Sequence, residues 1–347
     1  MLLAAAALAG SPIQAGFPCR DAETAQERLV CARPALAAAD VELNRSYRAA
    51  SAQLGPEGRR QLRISQRAWV NFRDSVCPID RSGHSLHRSA ESCLEARYAE
   101  RSAELRDAVR QLGPFRVVRL DGYRLWPAPG RTMGWYDDVI THEERVDWID
   151  SAAGGSPATA AAARWNARVS SRPTMSGTRW RRAARARSET DPGGDYGGLT
   201  QTGRDLEIVA ASADVVVSRI VDYWMGGAHP EESVSYETLL VPERRNLRLG
   251  DLVEWPAAFA GAAYRRLAAA YPELDFSGFR HVPDSALSPG TWEPTRAGLV
   301  VHYGTIFGRP SGDMAAIVGW RQMAPFLSAR GRRIAASFGG AALARAR

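Results

Sequence analysis

Four cysteines, Cys19, Cys31, Cys77 and Cys93, fall within the first 93 of 347 residues, directly behind an apolar, uncharged leader. An even number of cysteines confined to one short segment reads as a disulfide framework, and disulfides belong to oxidising compartments. The remainder of the chain has none, so the sequence divides into a stapled part and a part that must build its core from burial alone.

Leu2 to Gly10 is an apolar run, and Ile13-Gln14-Ala15 before Gly16 has the small-residue character of a cleavage site. Residues 1–15 are therefore expected to be a signal peptide, and the protein to be periplasmic or secreted. That run is shorter than the ~20 apolar residues of a membrane span, and arginines interrupt every later apolar stretch, so no transmembrane span is expected. The segment before Cys19 also lacks the aliphatic residue and small pair that precede a lipidated cysteine.

There is no lysine, so all 45 basic residues are arginine, and the net charge is +7. The sum hides opposing patches. Arg164 to Ser188 carries eight arginines and no acid, whereas Asp137 to Asp150 carries six acids and one base, Arg145. Each run reads first as a solvated face or loop, and second as a surface for a partner of opposite sign.

Asp21 to Leu112 has helical periodicity. Helices are expected over Ala22 to Ala32, Ala35 to Leu54 with Pro34 at its first turn, Glu57 to Cys77, and Glu91 to Leu112. Gly113-Pro114 reads as the domain boundary. Beyond it, strand-like segments recur at Phe115 to Tyr136, Leu206 to Ala210, Val215 to Trp224, Val234 to Val241, Leu299 to Tyr303 and Ala315 to Val318. Helices are expected at Pro157 to Val169, Pro256 to Tyr271 and Arg321 to Leu327. Ser170 to Gly198 lacks an apolar face and reads as an insertion. The expected fold class is α+β in two domains: a disulfide-stapled small helical bundle over 16–112, then an α+β domain over 113–328 with an antiparallel sheet and packed helices. Residues 329–347 read as a basic, frayed tail.

The first domain resembles the family of the lysozyme inhibitor LprI. The resemblance rests on Cys19 and Cys31 flanking Thr24 and Glu27; on Asp40, Leu43, Asn44 and Tyr47; on Gln66, Trp69, Arg73, Asp74 and Cys77; and on Cys93, Tyr98, Arg101 and Leu105. It covers about residues 19 to 110. Asp40, Asn44 and Tyr47 share one helical face, as do Gln66, Trp69 and Arg73. Those six are expected to form a structural network with an Asp40 to Arg73 pair at its centre, because buried charges need partners. Four cysteines allow three pairings; Cys77 with Cys93 is the easiest across the break between two helices, which leaves Cys19 with Cys31. A zinc site is the weaker alternative, since no Cys-x-x-Cys is present.

The second domain resembles the C-terminal domain shared by the anti-sigma factor RsiV and the peptidoglycan deacetylase PdaC. The resemblance lies in Tyr223 to Pro230, where a strand runs into Gly226-Gly227-Ala228-His229-Pro230. Trp165-Asn166, Leu247 to Val253 and Trp292 to Tyr303 support it, over about residues 140 to 328. The paired-aspartate motif of polysaccharide deacetylases is missing, so deacetylation does not carry over. His229 could act as a general base with Glu231 or Glu232 as its orienting partner. The glycines before it equally describe a strand-ending turn. His281 and His302 would join it only by folding chance. No P-loop, nucleophile elbow, zincin or nucleotide motif is present.

Both resemblances imply lysozyme. The expected function is that of a non-enzymatic envelope protein, without cofactor or metal, that binds lysozyme or a related muramidase and blocks its cleft. The candidate binding residues are Asp137, Asp138, Glu143, Glu144, Gly226, Gly227, His229 and Tyr303. The alternative is a module that holds an anionic envelope polymer, lipid or a lytic enzyme of the same cell without inhibiting lysozyme. Nucleic acid is not an expected partner, since the basic sequence carries no aromatic-basic binding motif.

Overall fold

The structure is a computed structural model that describes residues 15–77, 79, 90–127, 139–153, 155–171, 201–225, 231–274, 286–303 and 314–338. The chain divides into two compact units, Met1–Val109 with Tyr123–Val139, and Arg110–Gly122 with Ile140–Arg347.

The first unit is built on four helices: α1 (Ala25–Ala32), α2 (Pro34–Ala52), α3 (Pro56–Val76) and α4 (Ala90–Arg106). Thr24 and Glu27 form a capping box at the start of α1, with the Thr24 hydroxyl accepting from the Glu27 amide at 3.1 Å. Prolines occupy the first turns of α2 and α3, where no amide partner is needed. Leu36, Leu43, Leu62, Trp69, Phe72, Leu94 and Leu105 are buried at helical spacing. Two disulfides staple this core, Cys19–Cys31 and Cys77–Cys93, with Cα separations of 5.8 and 5.7 Å. The easiest pairing is thus the one formed.

A seven-stranded sheet, most of it in the second unit, runs in chain order: β1 (Val109–Leu112), β2 (Phe115–Pro127), β3 (Val139–Ala152), β4 (Gln201–Ala211), β5 (Val215–Met225), β6 (Glu231–Leu240) and β7 (Arg245–Asn246). The sequence predicts an antiparallel sheet; the sheet is mixed, because β3 pairs with β4 in parallel, Thr141 through Val146 against Gln201 through Leu206. Helix α5 (Ser156–Ser171) lies between those strands in sequence. The β4–β5 and β5–β6 pairs are antiparallel. Further on come α6 (Leu249–Leu252), α7 (Pro256–Ala270), an antiparallel three-stranded sheet of β8 (Trp292–Pro294), β9 (Gly298–His302) and β10 (Ala315–Gly319), then α8 (Trp320–Met323) and α9 (Ala329–Ser337).

Successive residues of β5 divide two cores. Val215 and Val217 belong with Phe259, Leu267, Trp292, Val301 and Val318, whereas Val216 belongs with Phe115, Val117, Ile149, Ala161 and Trp165. The strand period of two therefore sets β5 between two apolar layers.

Three boundaries differ from the sequence reading. The fourth helix stops at Arg106, not Leu112, and Val109–Leu112 enters the sheet. Gly113-Pro114 is a turn between strands rather than a linker: Gly113 has φ 54°, and a Cβ there would lie 2.4 Å from the Ala211 carbonyl oxygen. The tail expected to fray from residue 329 begins with α9. Its Ser328 cap accepts from Gly331 N at 2.9 Å, Ile334 and Ala335 are buried, and Arg330 reaches Asp251 at 2.6 Å and Glu243 at 2.8 Å. Small residues and arginines predict disorder there, but a few buried side chains and one shared carboxylate are enough to dock a short helix.

Candidate functional site

The polar motif residues of the helical unit separate into a buried set and a set that opens on solvent. Arg73, 5% exposed, donates to Asp74 Oδ1 at 2.7 Å and, through Nη1, to the Tyr98 hydroxyl at 2.8 Å. Its guanidinium also lies 5.5 Å from the ring centroids of both Trp69 and Tyr98. Tyr98 in turn hydrogen-bonds to Asp40. The expected Asp40 to Arg73 pair is therefore relayed through a tyrosine hydroxyl. Burial drives the Tyr98 phenol well above its ordinary range against the pull of Arg73, so it stays protonated and can serve both neighbours. Arg101, 1% exposed, donates to Gln66 Oε1 at 3.1 Å, Ser65 Oγ at 3.2 Å and Glu104 Oε2 at 3.0 Å.

Asn44, Tyr47 and Gln66, expected inside the network, line a cleft of about 440 Å³ between α2 and α3, together with Leu43, Arg63, Arg67 and Val70. The two amides are held from behind. Asn44 Nδ2 donates to the Asp40 carbonyl at 2.9 Å and to Asp40 Oδ2 at 3.2 Å, which leaves Asn44 Oδ1 as an acceptor. Gln66 Oε1 is taken by Arg101, which leaves Gln66 Nε2 as a donor. Arg63 and Arg67 form no ion pair among the described residues and are exposed. The cleft thus combines an oriented acceptor, an oriented donor, an aromatic edge, an apolar floor and two available cations. The sequence places all these residues on neighbouring helical faces, but nothing in it separates those facing inward from those facing the cleft.

The acidic segment Asp137 to Asp150 fares differently. From Val139 onward it is β3, a strand inside the sheet rather than a solvated face, and Asp147 has no exposed surface. Asp147 sits 2.6 Å from Arg110 and 3.5 Å from Arg119, and it accepts from Ile208 N at 2.6 Å. Arg119 also pairs with Asp205, and Arg110 with Glu207 at 2.7 Å. Burial pushes the Asp147 carboxyl up to about 6, while Arg119 and Arg110 hold it down, so it is ionised at neutral pH. This cluster takes over where the parallel ladder ends at Val146. Asp147 takes the Ile208 amide, the Trp165 indole donates to the Asp147 carbonyl at 2.7 Å, and the Asn166 amide spans the Ile149 N–H and C=O at 2.9 and 2.8 Å. Trp165-Asn166, one of the motifs noted in sequence, is thereby a clamp on the strand.

Of the candidate binding residues, Glu143 is mostly buried, within 3.4 Å of the Tyr223 hydroxyl and 3.9 Å of Arg145. Glu144 is half-buried. Glu143, Gly203 and Tyr223 share one row across β3, β4 and β5, and a Cβ on Gly203 would lie 2.1 Å from the tyrosine ring. Tyr223 lies over the glycine and reaches the acid beyond it. Tyr303 is 8% exposed, and its hydroxyl has no hydrogen-bond partner among the described residues. Burial alone raises its phenol above the ordinary range. Asp137, Asp138, Gly226, Gly227 and His229 lie outside the described residues, as does His281. His302 donates from Nε2 to Glu293 Oε2 at 2.9 Å and stacks on Tyr236.

These features define a two-unit extracytoplasmic-type protein: a disulfide-stapled helical bundle with a polar cleft, followed by an α+β unit braced by internal ion pairs. Residues 19–105, well under half of the chain, match the family model described as lysozyme inhibitor LprI. No curated protein matches the chain. Among solved structures, it is similar to a member of the DUF3298 family from Bacteroides fragilis, at 13% identity and TM-score 0.47, over 67% of this chain and 100% of that one. A DUF3298 family protein from Pseudomonas aeruginosa gives 15% identity and TM-score 0.41, over 62% of this chain and 96% of that one. No helix among the described residues is long and apolar enough to cross a membrane.

Proposed function

We propose that this is an exported envelope protein, not an enzyme, that binds lysozyme or a related muramidase through its helical unit and blocks it. The observation that carries this reading is the match of residues 19–105 to the lysozyme-inhibitor family over the unit that both disulfides staple. The sequence resemblance of the second unit to the RsiV/PdaC-type domain supports the same class of partner. Many lysozymes are basic, as this chain is, so their encounter needs local acid against a like-signed background. With Asp147 internal and Glu143 engaged by its neighbours, β3 offers less of that acid than its sequence promises. The test is inhibition: the oxidised protein is titrated into muramidase assays across several lysozyme types and salt concentrations. Saturable inhibition of at least one type is expected, and absence of both inhibition and complex with every type overturns the reading.

A second reading has its own observation, the α2–α3 cleft. Asn44 Oδ1 and Gln66 Nε2 match the N–H and C=O of an acetamido group, and Arg63 and Arg67 match a carboxylate. In this reading the helical unit holds a carboxylate-bearing, N-acetylated saccharide of the envelope polymer. An acidic peptide fits less well, because helices offer no free backbone edge for pairing. Binding of N-acetylmuramic acid, weakened by salt and by R63A/R67A, with weaker binding of neutral chitobiose, is the expected result. Equal binding of the two sugars, or stronger binding of a poly-glutamate peptide, would exclude it.

A further inference from the structure

The backbone nitrogen of Gly16 lies 2.7 Å from Asp40 Oδ2. Asp40 is 5% exposed, and its remaining described donors are the Asn44 amide at 3.2 Å and the Tyr98 hydroxyl. All three donors are neutral, and the charged side chains that line the pocket beside Gly16 are Arg45, paired with Glu42, and Arg48. Among the described residues Asp40 makes no ion pair, since the Arg73 guanidinium is engaged by Asp74 and reaches Asp40 only through Tyr98. A buried carboxylate served by neutral groups alone is an expensive arrangement, and a cation in contact would relieve it.

A side chain at this position would have to displace the Asn44 amide. A Cβ on residue 16 would lie 2.1 Å from Asn44 Nδ2 and 2.9 Å from Asp40 Oδ2. The bond that precedes Gly16 is also the one that ends the small-residue pattern after the apolar leader, Ile13-Gln14-Ala15.

We propose that cleavage of the Ala15–Gly16 bond completes the helical unit by creating the missing cation. A leader peptidase would add water across the amide: the C–N bond breaks, hydroxide goes to the Ala15 carbonyl carbon, and the proton goes to the Gly16 nitrogen. The released amine takes up a further proton at neutral pH. An ammonium then stands where a neutral N–H stood, in contact with Asp40 and joined through Tyr98 to Arg73. Processing thereby turns one neutral hydrogen bond into an ion pair at the hub of the network. The inference rests on the export reading above, because only an exported chain meets such a peptidase.

Two full-length oxidised chains test it, one released with Gly16 as its first residue and one retaining Ala15. The pairing raises the pKa of the Gly16 amine above its ordinary ~7.7–8.0, and a pKa raised by about one corresponds to a roughly tenfold gain in the folding constant. Its contribution is fully present below the unfolded value and lost as pH rises through the folded one. The Gly16 chain is therefore expected to show roughly tenfold or greater advantage in denaturant unfolding at pH 7. That advantage should vanish at high pH, and after acetylation of the Gly16 amine, which removes the charge but keeps a donor. Asp40→Asn should abolish it as well; acetylation supplies the same comparison if that variant does not fold. Mass spectrometry of the exported protein should find Gly16 at its N-terminus. Equal stability of the two chains, an amine titrating at its ordinary value, or an exported chain cut elsewhere overturns the inference alone. Retention of the chain inside the cell overturns the export reading and this inference with it.

Discussion

The Arg73 guanidinium donates to the Tyr98 hydroxyl across 2.8 Å, and through that hydroxyl a charge on α3 meets the Asp40 carboxylate on α2. One phenol from α4 thereby joins three helices. Its ring stands edge-on to Trp69, with 5.7 Å between centroids, so the polar tip and the apolar body are both used.

Removing only that tip separates the two uses. Tyr98→Phe keeps the ring but leaves Arg73 and Asp40 each short of a partner, and a buried group left unsatisfied costs about 1–3 kcal/mol. Urea unfolding with the disulfides intact should register a loss in that range. Arg73→Met, which strands Asp74 and Asp40 together, should cost more, about 3–5 kcal/mol. A Tyr98→Phe protein as stable as the parent would show that the relay contributes nothing.

Asp147 sets a second expectation, in pH. Its folded value near 6 lies above the ordinary carboxylate range, so the folded state holds its proton more tightly than the unfolded one. The sign follows: this contribution to stability is present below about 4 and is lost as pH rises through about 6. Asp147→Asn should flatten that limb of the stability curve. It should also cost less at pH 7 than at pH 4, because by pH 7 the parent already bears the penalty of the buried charge, which the neutral amide avoids. Stability measured by denaturant between pH 4 and pH 8 checks both, and an unaltered pH profile counts against the assignment.

The helical unit was the more legible half. The second and third helices start at Pro34 and Pro56, as the sequence reads, whereas the first starts only after the Thr24/Glu27 capping box and not at Ala22; the disulfide pairing follows helix order. The chemistry that escaped is spatial: Tyr98 inserts between Asp40 and Arg73, and Gln66 turns to the cleft because Arg101 holds its other end. In the α+β unit, the strands rich in valine and isoleucine, β5 above all, read correctly. Strand β3 did not, because Glu143, Glu144, Arg145 and Asp147 mimic a solvated run. The charge of Asp147 is balanced across strands by Arg110 and Arg119 and that of Arg145 by Asp121, partners distant in sequence. Local patterning cannot reveal a charge whose partners lie far along the chain, as with Asp147 and the amide of Ile208, 61 positions on.

The two arginines of the cleft give a prediction about stability as well as binding. Arg63 and Arg67 are exposed and without ion pairs among the described residues, so R63A/R67A should move the unfolding midpoint little, within about 0.5 kcal/mol for each surface substitution. Asn44→Ala should do the opposite, weakening both the fold and any cleft ligand, because its amide also serves Asp40. Thermal and urea unfolding beside saccharide binding would tell the roles apart. A large stability loss in the arginine variant would assign those side chains to the scaffold.

Asp251 gathers the end of the second unit. It pairs with Arg245 at 2.6 and 2.7 Å, accepts from Arg248 N at 2.8 Å, and takes Arg330 of α9 at 2.6 Å. The Arg245 bond, with the Arg248 amide and Arg330 behind it, holds the carboxyl well below its ordinary range. With a depressed folded pKa, its contribution is present above about 4 and lost as pH falls further. Asp251→Asn removes one of the two carboxylates that fix Arg330 and leaves Glu243 and the apolar contacts of Ile334 and Ala335 to hold the helix. Helix α9 should then open more often, and trypsin should cut sooner at Arg330, Arg332 and Arg333 than in the parent, with Leu252 and Leu327 beneath it newly accessible. Limited proteolysis at pH 7 followed by mass spectrometry reads this directly. Parent-like cleavage kinetics would mean that the apolar contacts alone dock the helix.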